Sequence, residues 1–191
     1  LGNILPESLG NLTGLNRLLV SNNQFTGAVP PWIARLSNLV IMDFSANALW
    51  GTLPPEVGQL ASLQHLLLFS NNVTGSIPSS VGGMSALSIL DLSSNRLTGT
   101  VPSSLGIATA LHQMDLSLNK LEGVLPPALQ SMHALTSVIL SYNQISGALQ
   151  PWISNWTDLA NLNMSSNNLS GAIPYDLGDL KFLQQVSLGD N

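Results

Sequence analysis

Cysteine is absent from the chain, and with it go a disulfide framework, a thiol nucleophile and a thiolate zinc site. Charge is scarce as well. Only 8% of residues are Asp, Glu, Lys or Arg, against roughly 25% in an average soluble domain, so Ser, Asn, Thr, Gln and backbone groups must wet the surface. Lys and Arg number 5 against 10 acidic residues, for a net charge of −5. That balance offers no basic stripe for a phosphate backbone and argues against nucleic acid as a partner. No apolar run approaches the ~20 residues that cross a bilayer. The opening LGNILPES shows no charged start followed by an apolar core. The segment is therefore expected to make no membrane contact itself and to carry no address of its own. An apolar share of 45% over 191 residues remains, enough for one substantial core.

What is abundant is a pattern. The stretch Asp91 to Pro102, DLSSNRLTGTVP, recurs as DFSANALWGTLP, DLSLNKLEGVLP and NMSSNNLSGAIP. With the asparagine of DLSSN as anchor, equivalent asparagines stand at Asn23, Asn47, Asn71, Asn95, Asn119, Asn143, Asn167 and Asn191, each 24 residues from the next. Each unit approximates LxxLxxLxLxxNxLxGxIPxxLGxL, as in Leu87, Leu90, Leu92, Asn95, Leu97, Gly99, Val101, Pro102, Leu105 and Gly106. Residues 1–191 thus read as a single domain of about eight repeats, cut within a unit at both ends.

The unit has a physical reading. Around Leu90 and Leu92 the alternation has period 2, which turns these leucines inward from a short strand and leaves Ile89, Asp91 and Ser93 outward. One such strand per unit predicts a parallel sheet. The asparagine after it can turn inward, because its amide supplies two donors and an acceptor to turn backbone that burial would leave unpaired. Repeated in every unit, these asparagines form a ladder. Gly99 permits left-handed backbone and Pro102 fixes an extended φ where no donor is needed, so the return leg is expected to be irregular with short 3-10 pieces. No unit buries its leucines alone, and neighbours must stack.

With these residues, the unit resembles the leucine-rich repeat of the plant extracellular subtype, whose mark is the LxGxIP half. The resemblance covers essentially the whole chain. It implies a repeat solenoid: a right-handed coil stack with a parallel β-sheet on the concave face and irregular or 3-10 return segments. Proteins of this pattern include ectodomains of plant receptor-like kinases and receptor-like proteins, and cell-wall inhibitors of polygalacturonases. The function implied is an extracellular recognition module that binds a protein or peptide ligand and promotes association with a co-receptor. The alternative is a soluble inhibitor of a microbial polygalacturonase. By this resemblance the parent sits at the plasma membrane or is secreted to the cell wall, and any kinase lies outside this segment. The family normally carries cysteine-paired caps; their absence and the cut units lead to the expectation of a piece of a longer ectodomain. Within the repeats Asn3 replaces Gly, Ala108 replaces Leu and Gln150 replaces Pro.

Outward positions form columns across the expected sheet. The first holds Arg17, Ile41, His65, Ile89, Gln113, Ser137, Asn161 and Gln185; the central one holds Leu19, Asp43, Leu67, Asp91, Asp115, Ile139, Asn163 and Ser187. The third is serine from Ser21 to Ser165 except for Phe69, and ends in Gly189. Phe69 beside Leu67, Ile41, Ile89 and Leu19 makes an apolar cluster on a face expected to be wet. These residues, with His65, Asp43 and Asp91 as polar selectors, are the candidate ligand contacts. The opposing reading is that a curved sheet tolerates exposed apolar side chains.

Catalysis finds little support. Asp91 and Asp115 neighbour one another, but as solvated carboxylates on an open face. His112, Asp115 and Ser117 share a strand without an oxyanion site or closed pocket. The histidines lack metal-ligand spacing, so an enzyme, a metal and a cofactor are not expected. Sequons N-x-S/T stand at Asn11, Asn72, Asn155, Asn163 and Asn168 and fit secretion; a glycan on Asn163 would obstruct one end of the concave face. Trp32, Trp50, Trp152 and Trp156 read as core or convex-side filler, with a carbohydrate platform as the alternative.

Overall fold

The structure is a computed structural model and describes residues 3–191. The inward leucines produce the expected strands: Arg17–Leu19, Ile41–Asp43, His65–Leu67, Ile89–Asp91, Gln113–Asp115, Ser137–Ile139, Asn161–Asn163 and Gln185–Ser187. All eight join one parallel sheet in sequence order. Its register is locked to the repeat, so that Ile89, Leu90 and Asp91 lie opposite Gln113, Met114 and Asp115. The middle residue of most strands is buried: Met42, Leu66, Leu90, Met114, Val138 and Leu162 line one continuous core. A one-residue slip would turn this whole row to solvent, which is why the register never shifts.

The return leg departs from expectation. Half of it forms a second parallel sheet, built from Asn3–Ile4, Phe25–Gly27, Ala48–Thr52, Asn72–Gly75, Arg96–Gly99, Lys120–Gly123, Gln144–Gly147 and Asn168–Leu169. Each coil therefore supplies two strands, not one. Stacking places equivalent extended segments of successive coils at strand spacing, ~4.8 Å, where their amides and carbonyls pair as they do in any ladder.

The rest of the return leg is 3-10, as expected. Pro102 is extended, with φ −69° and ψ 133°. It has no donor, yet its carbonyl accepts from Leu105 N–H at 3.0 Å and starts the segment Ser103–Ile107. Glycine serves close approach here: a Cβ on Gly82 would lie 2.0 Å from the carbonyl oxygen of Ser104 in the next coil, and one on Gly106 2.1 Å from that of Ala128.

The asparagine ladder is present and directional. Asn95 Oδ1 accepts from Val73 N–H at 2.9 Å, and its Nδ2 donates to Leu68 O of the preceding coil and to Leu92 O and Ser93 O of its own. Asn47, Asn71, Asn119, Asn143, Asn167 and Asn191 repeat this geometry. Asn23 donates within its own coil, to Val20 O and Ser21 O. The residue before each ladder asparagine is left-handed, with φ from 50° at Ala46 to 57° at Asp190, and includes Leu118 and Tyr142. Such backbone is unfavourable for an L-residue with a side chain. The fixed asparagine bonds on either side impose it.

Candidate functional site

The first sheet brings the candidate contacts together. Arg17, Ile41, His65 and Ile89 are successive partners in one column; Leu19, Asp43, Leu67 and Asp91 are successive partners in another. Leu19 is 51% exposed, and Ile41, Asp43, His65, Leu67, Phe69, Ile89 and Asp91 are half-buried. Phe69 stands two residues beyond Leu67, past the strand end. Its carbonyl accepts from Ala46 N–H at 2.9 Å and from the Asn71 amide at 3.3 Å, which holds the backbone beneath the ring.

The aspartates do more than the sequence reading assigned them. Asp91 Oδ1 accepts from Ser93 N–H at 3.0 Å and from the Ser93 hydroxyl at 2.7 Å. Asp43 with Ser45, Asp115 with Ser117 and Asn163 with Ser165 close the same turn. Such short-range bonds satisfy backbone that the strand end would leave open. As selectors, then, Asp43 and Asp91 offer only their second oxygen. In the coil of Leu67 this polar pair is replaced by Leu67 and Phe69, so one substitution pattern both removes the turn lock and creates the apolar cluster.

Partial burial pushes the Asp91 carboxyl above the usual aspartate range; the Ser93 bonds oppose the shift, and the charges of Asp115 and Asp43 add to it. Beside the cluster, Ile89, Asp91, Gln113, Asp115, Ser137 and Ile139 rim a shallow dip of about 120 Å³. Gln113, Asp115, Ser137 and Ile139 were not among the candidate contacts, although they stand in the same columns. The concave face thus offers apolar side chains bordered by carboxylates.

Chemistry beyond binding gains no geometry. The Ser117 hydroxyl donates to Asp115, while His112 Nδ1 bonds Ala110 O at 2.7 Å and the Ser88 hydroxyl at 3.3 Å, so His112, Asp115 and Ser117 form no relay. Among the described residues no group of three or more His, Cys, Asp or Glu could hold a metal ion, and no helix is long and apolar enough to cross a membrane.

Each sequon can now be placed. Asn11 is exposed at the end of the 3-10 segment Glu7–Asn11, and Asn155 is half-buried at the end of Pro151–Asn155. Asn163 lies on the first sheet; Asn72 and Asn168 lie on the second. The tryptophans divide. Trp32 and Trp156 are buried, and Trp156 donates its indole N–H to Leu129 O at 2.8 Å and meets Trp152 edge to face. Trp50 is no filler: it is 58% exposed, because its place in the strand Ala48–Thr52 puts it on the outward side of the second sheet.

Coils stacked on two ladders with an open, varied outward face define a repeat-solenoid scaffold. The leucine rich repeat pattern matches residues 85–145, and single repeats match at 14–36, 62–84 and 158–180. No match to a curated protein sequence was found. Among solved structures, the chain is similar to the plant peptide hormone receptor RGFR1 in complex with RGF2, at 34% identity and a TM-score of 0.96, covering 98% of this chain and 30% of that one. It is similar to a TDR receptor at 32% identity and 0.97, covering 98% and 33%. It is also similar to the Arabidopsis receptor kinase HAESA ectodomain in complex with a peptide hormone ligand, at 30% identity and 0.92, covering 97% and 31%. The chain belongs to the leucine-rich repeat family, and its coil stack is of the kind found in plant receptor-kinase ectodomains. It spans about a third of the length of these relatives.

Proposed function

We propose that this chain is a ligand-reading segment of a plant cell-surface receptor ectodomain, extracellular and glycosylated, acting by binding without turnover. The observation that carries the reading is the outward set Leu19, Ile41, Leu67 and Ile89, which alternates in register with Asp43, His65 and Asp91 on adjacent strands, with Phe69 just past the end of its strand. Eight strands at ~4.8 Å span roughly 35 Å, which accommodates an extended peptide of about ten residues. Apolar side chains of the peptide would cover Phe69 and its neighbours, and a basic group would meet Asp91 and Asp115. The relatives RGFR1 and HAESA, each in complex with a peptide hormone, support a peptide as the ligand class. Ligand seated on the rigid stack would then favour a co-receptor, with the signal passed on by other parts of the parent, which is anchored in the plasma membrane.

The test is a binding screen of the secreted parent ectodomain against small peptides, with oligosaccharides and polygalacturonase as further analytes. Phe69→Asp is expected to abolish saturable peptide binding while leaving Tm nearly unchanged, because the ring contributes little to the core. Unchanged peptide affinity would reject the site. Binding to polygalacturonase alone would move the chain to the inhibitor class.

A further inference from the structure

Trp50 is 58% exposed on the outward side of the second sheet, where its indole presents a broad apolar face with a polar N–H edge. Opposite it in the ladder is Asn72: the two are paired residues of adjacent parallel strands, separated by about one strand spacing, ~4.8 Å. Asn72 opens the sequon Asn72-Val73-Thr74. Val73 is buried, which turns Asn72 to the outward side with Trp50. Thr74 donates its hydroxyl to Gly51 O at 3.2 Å, whereas the Asn72 amide is half-buried and makes no side-chain hydrogen bond among the described residues. The same column supplies an internal comparison. Asn168, also in a sequon, is paired with Ser146, so an identical position lacks the aromatic neighbour.

We propose that Asn72 carries an N-linked glycan whose first N-acetylglucosamine lies on the indole of Trp50. The inference rests on the extracellular reading above, since the modification belongs to the secretory pathway. The bond forms between Asn72 Nδ2 and the sugar C1 as the C1–O bond to a lipid-pyrophosphate-linked oligosaccharide breaks; the amide gives up one proton and the pyrophosphate leaves. One face of the pyranose is a patch of C–H groups, and the indole face is electron-rich, so the two stack while the sugar hydroxyls stay in water. The glycan would cover the second-sheet flank of the coils around Trp50 and leave the face bearing Leu67 and Phe69 open. Asn168 would carry a glycan that swings free.

The experiment uses the parent ectodomain secreted with high-mannose glycans. Site-resolved mass spectrometry is expected to find Asn72 occupied. Iodide quenching of tryptophan fluorescence is then compared before and after deglycosylation. Trimming to a single N-acetylglucosamine is expected to leave quenching unchanged, and complete removal to raise it. The rise should be reproduced by Asn72→Gln, absent in Trp50→Phe and absent in Asn168→Gln. An unmodified Asn72 beside other occupied sequons would overturn the proposal and leave the extracellular reading standing; Trp50 would then be open to a protein partner. No modification at any of the five sequons would overturn both. Occupancy with no change in quenching on complete removal would overturn the stacking, and that arm needs no variant to fold.

Discussion

At the back of the stack one methyl group separates a tolerated residue from a damaging one. A Cβ at Gly82 would come 2.0 Å from Ser104 O, while at the adjacent Gly83 nothing lies within 4 Å. Gly82→Ala is expected to destabilise by about 1–3 kcal/mol, the usual range for overpacking, and Gly83→Ala to stay within about 0.5 kcal/mol; urea melts of the pair decide it. Asp91 makes a second residue-scale prediction. Its carboxyl titrates above the ordinary aspartate range because it is partly buried, so the folded chain holds the proton more tightly than the unfolded one. The corresponding stability is fully present below the unfolded value and is lost as pH rises through the folded one. Asp91→Asn should keep both Ser93 bonds, as Asn163 keeps those from Ser165. Stability at neutral pH should rise, and its decline from acid toward neutral pH should flatten. A pH series of melts with unchanged slope would contradict this. Neither effect is legible in sequence: Gly82 is one glycine among many and Asp91 reads as a solvated outward carboxylate, because the carbonyl of Ser104 and the burial of the Asp91 carboxyl appear only once the coils stack.

Among the elements, the asparagine ladder was legible and half of the return leg was not. The amide at each 24-residue mark can satisfy more backbone groups than any apolar residue, so an invariant asparagine inside an apolar pattern already announces a buried turn. The second sheet gave no such warning. Its strands carry at most one buried residue, such as Leu97 or Leu121 between exposed neighbours, which is too short for a period of 2 to register. Pairing there is a product of stacking. For the same reason Trp50 could not be assigned a side, whereas the outward columns of the first sheet, from Arg17 to Gln185, could be read correctly from alternation alone. Asn95→Ala tests the ladder. It leaves Val73 N–H and the carbonyls of Leu68 and Leu92 without this partner, and each unsatisfied buried group costs about 1–3 kcal/mol. The expected outcome is a loss of at least ~2 kcal/mol, with amide exchange accelerated at Val73 in the preceding coil. Acceleration confined to the coil of Asn95 would contradict the bridging role.

The whole molecule takes its mechanical character from the direction of that ladder. Every bridging asparagine from Asn47 to Asn191 grips its own coil and the one before it, never the one after. Tension applied at the C-terminal end therefore meets one equivalent fastening at a time, and the coil behind keeps its grip on its own predecessor while the outermost peels away. A released coil is 24 residues of chain, about 80 Å when drawn out. Single-molecule pulling on the stack should yield a saw-tooth of evenly spaced steps near that length, and a single rupture of all coils would contradict it. Because these asparagine fastenings are alike from coil to coil, under load the stack would lengthen in steps from its end while the concave face farther back kept its shape.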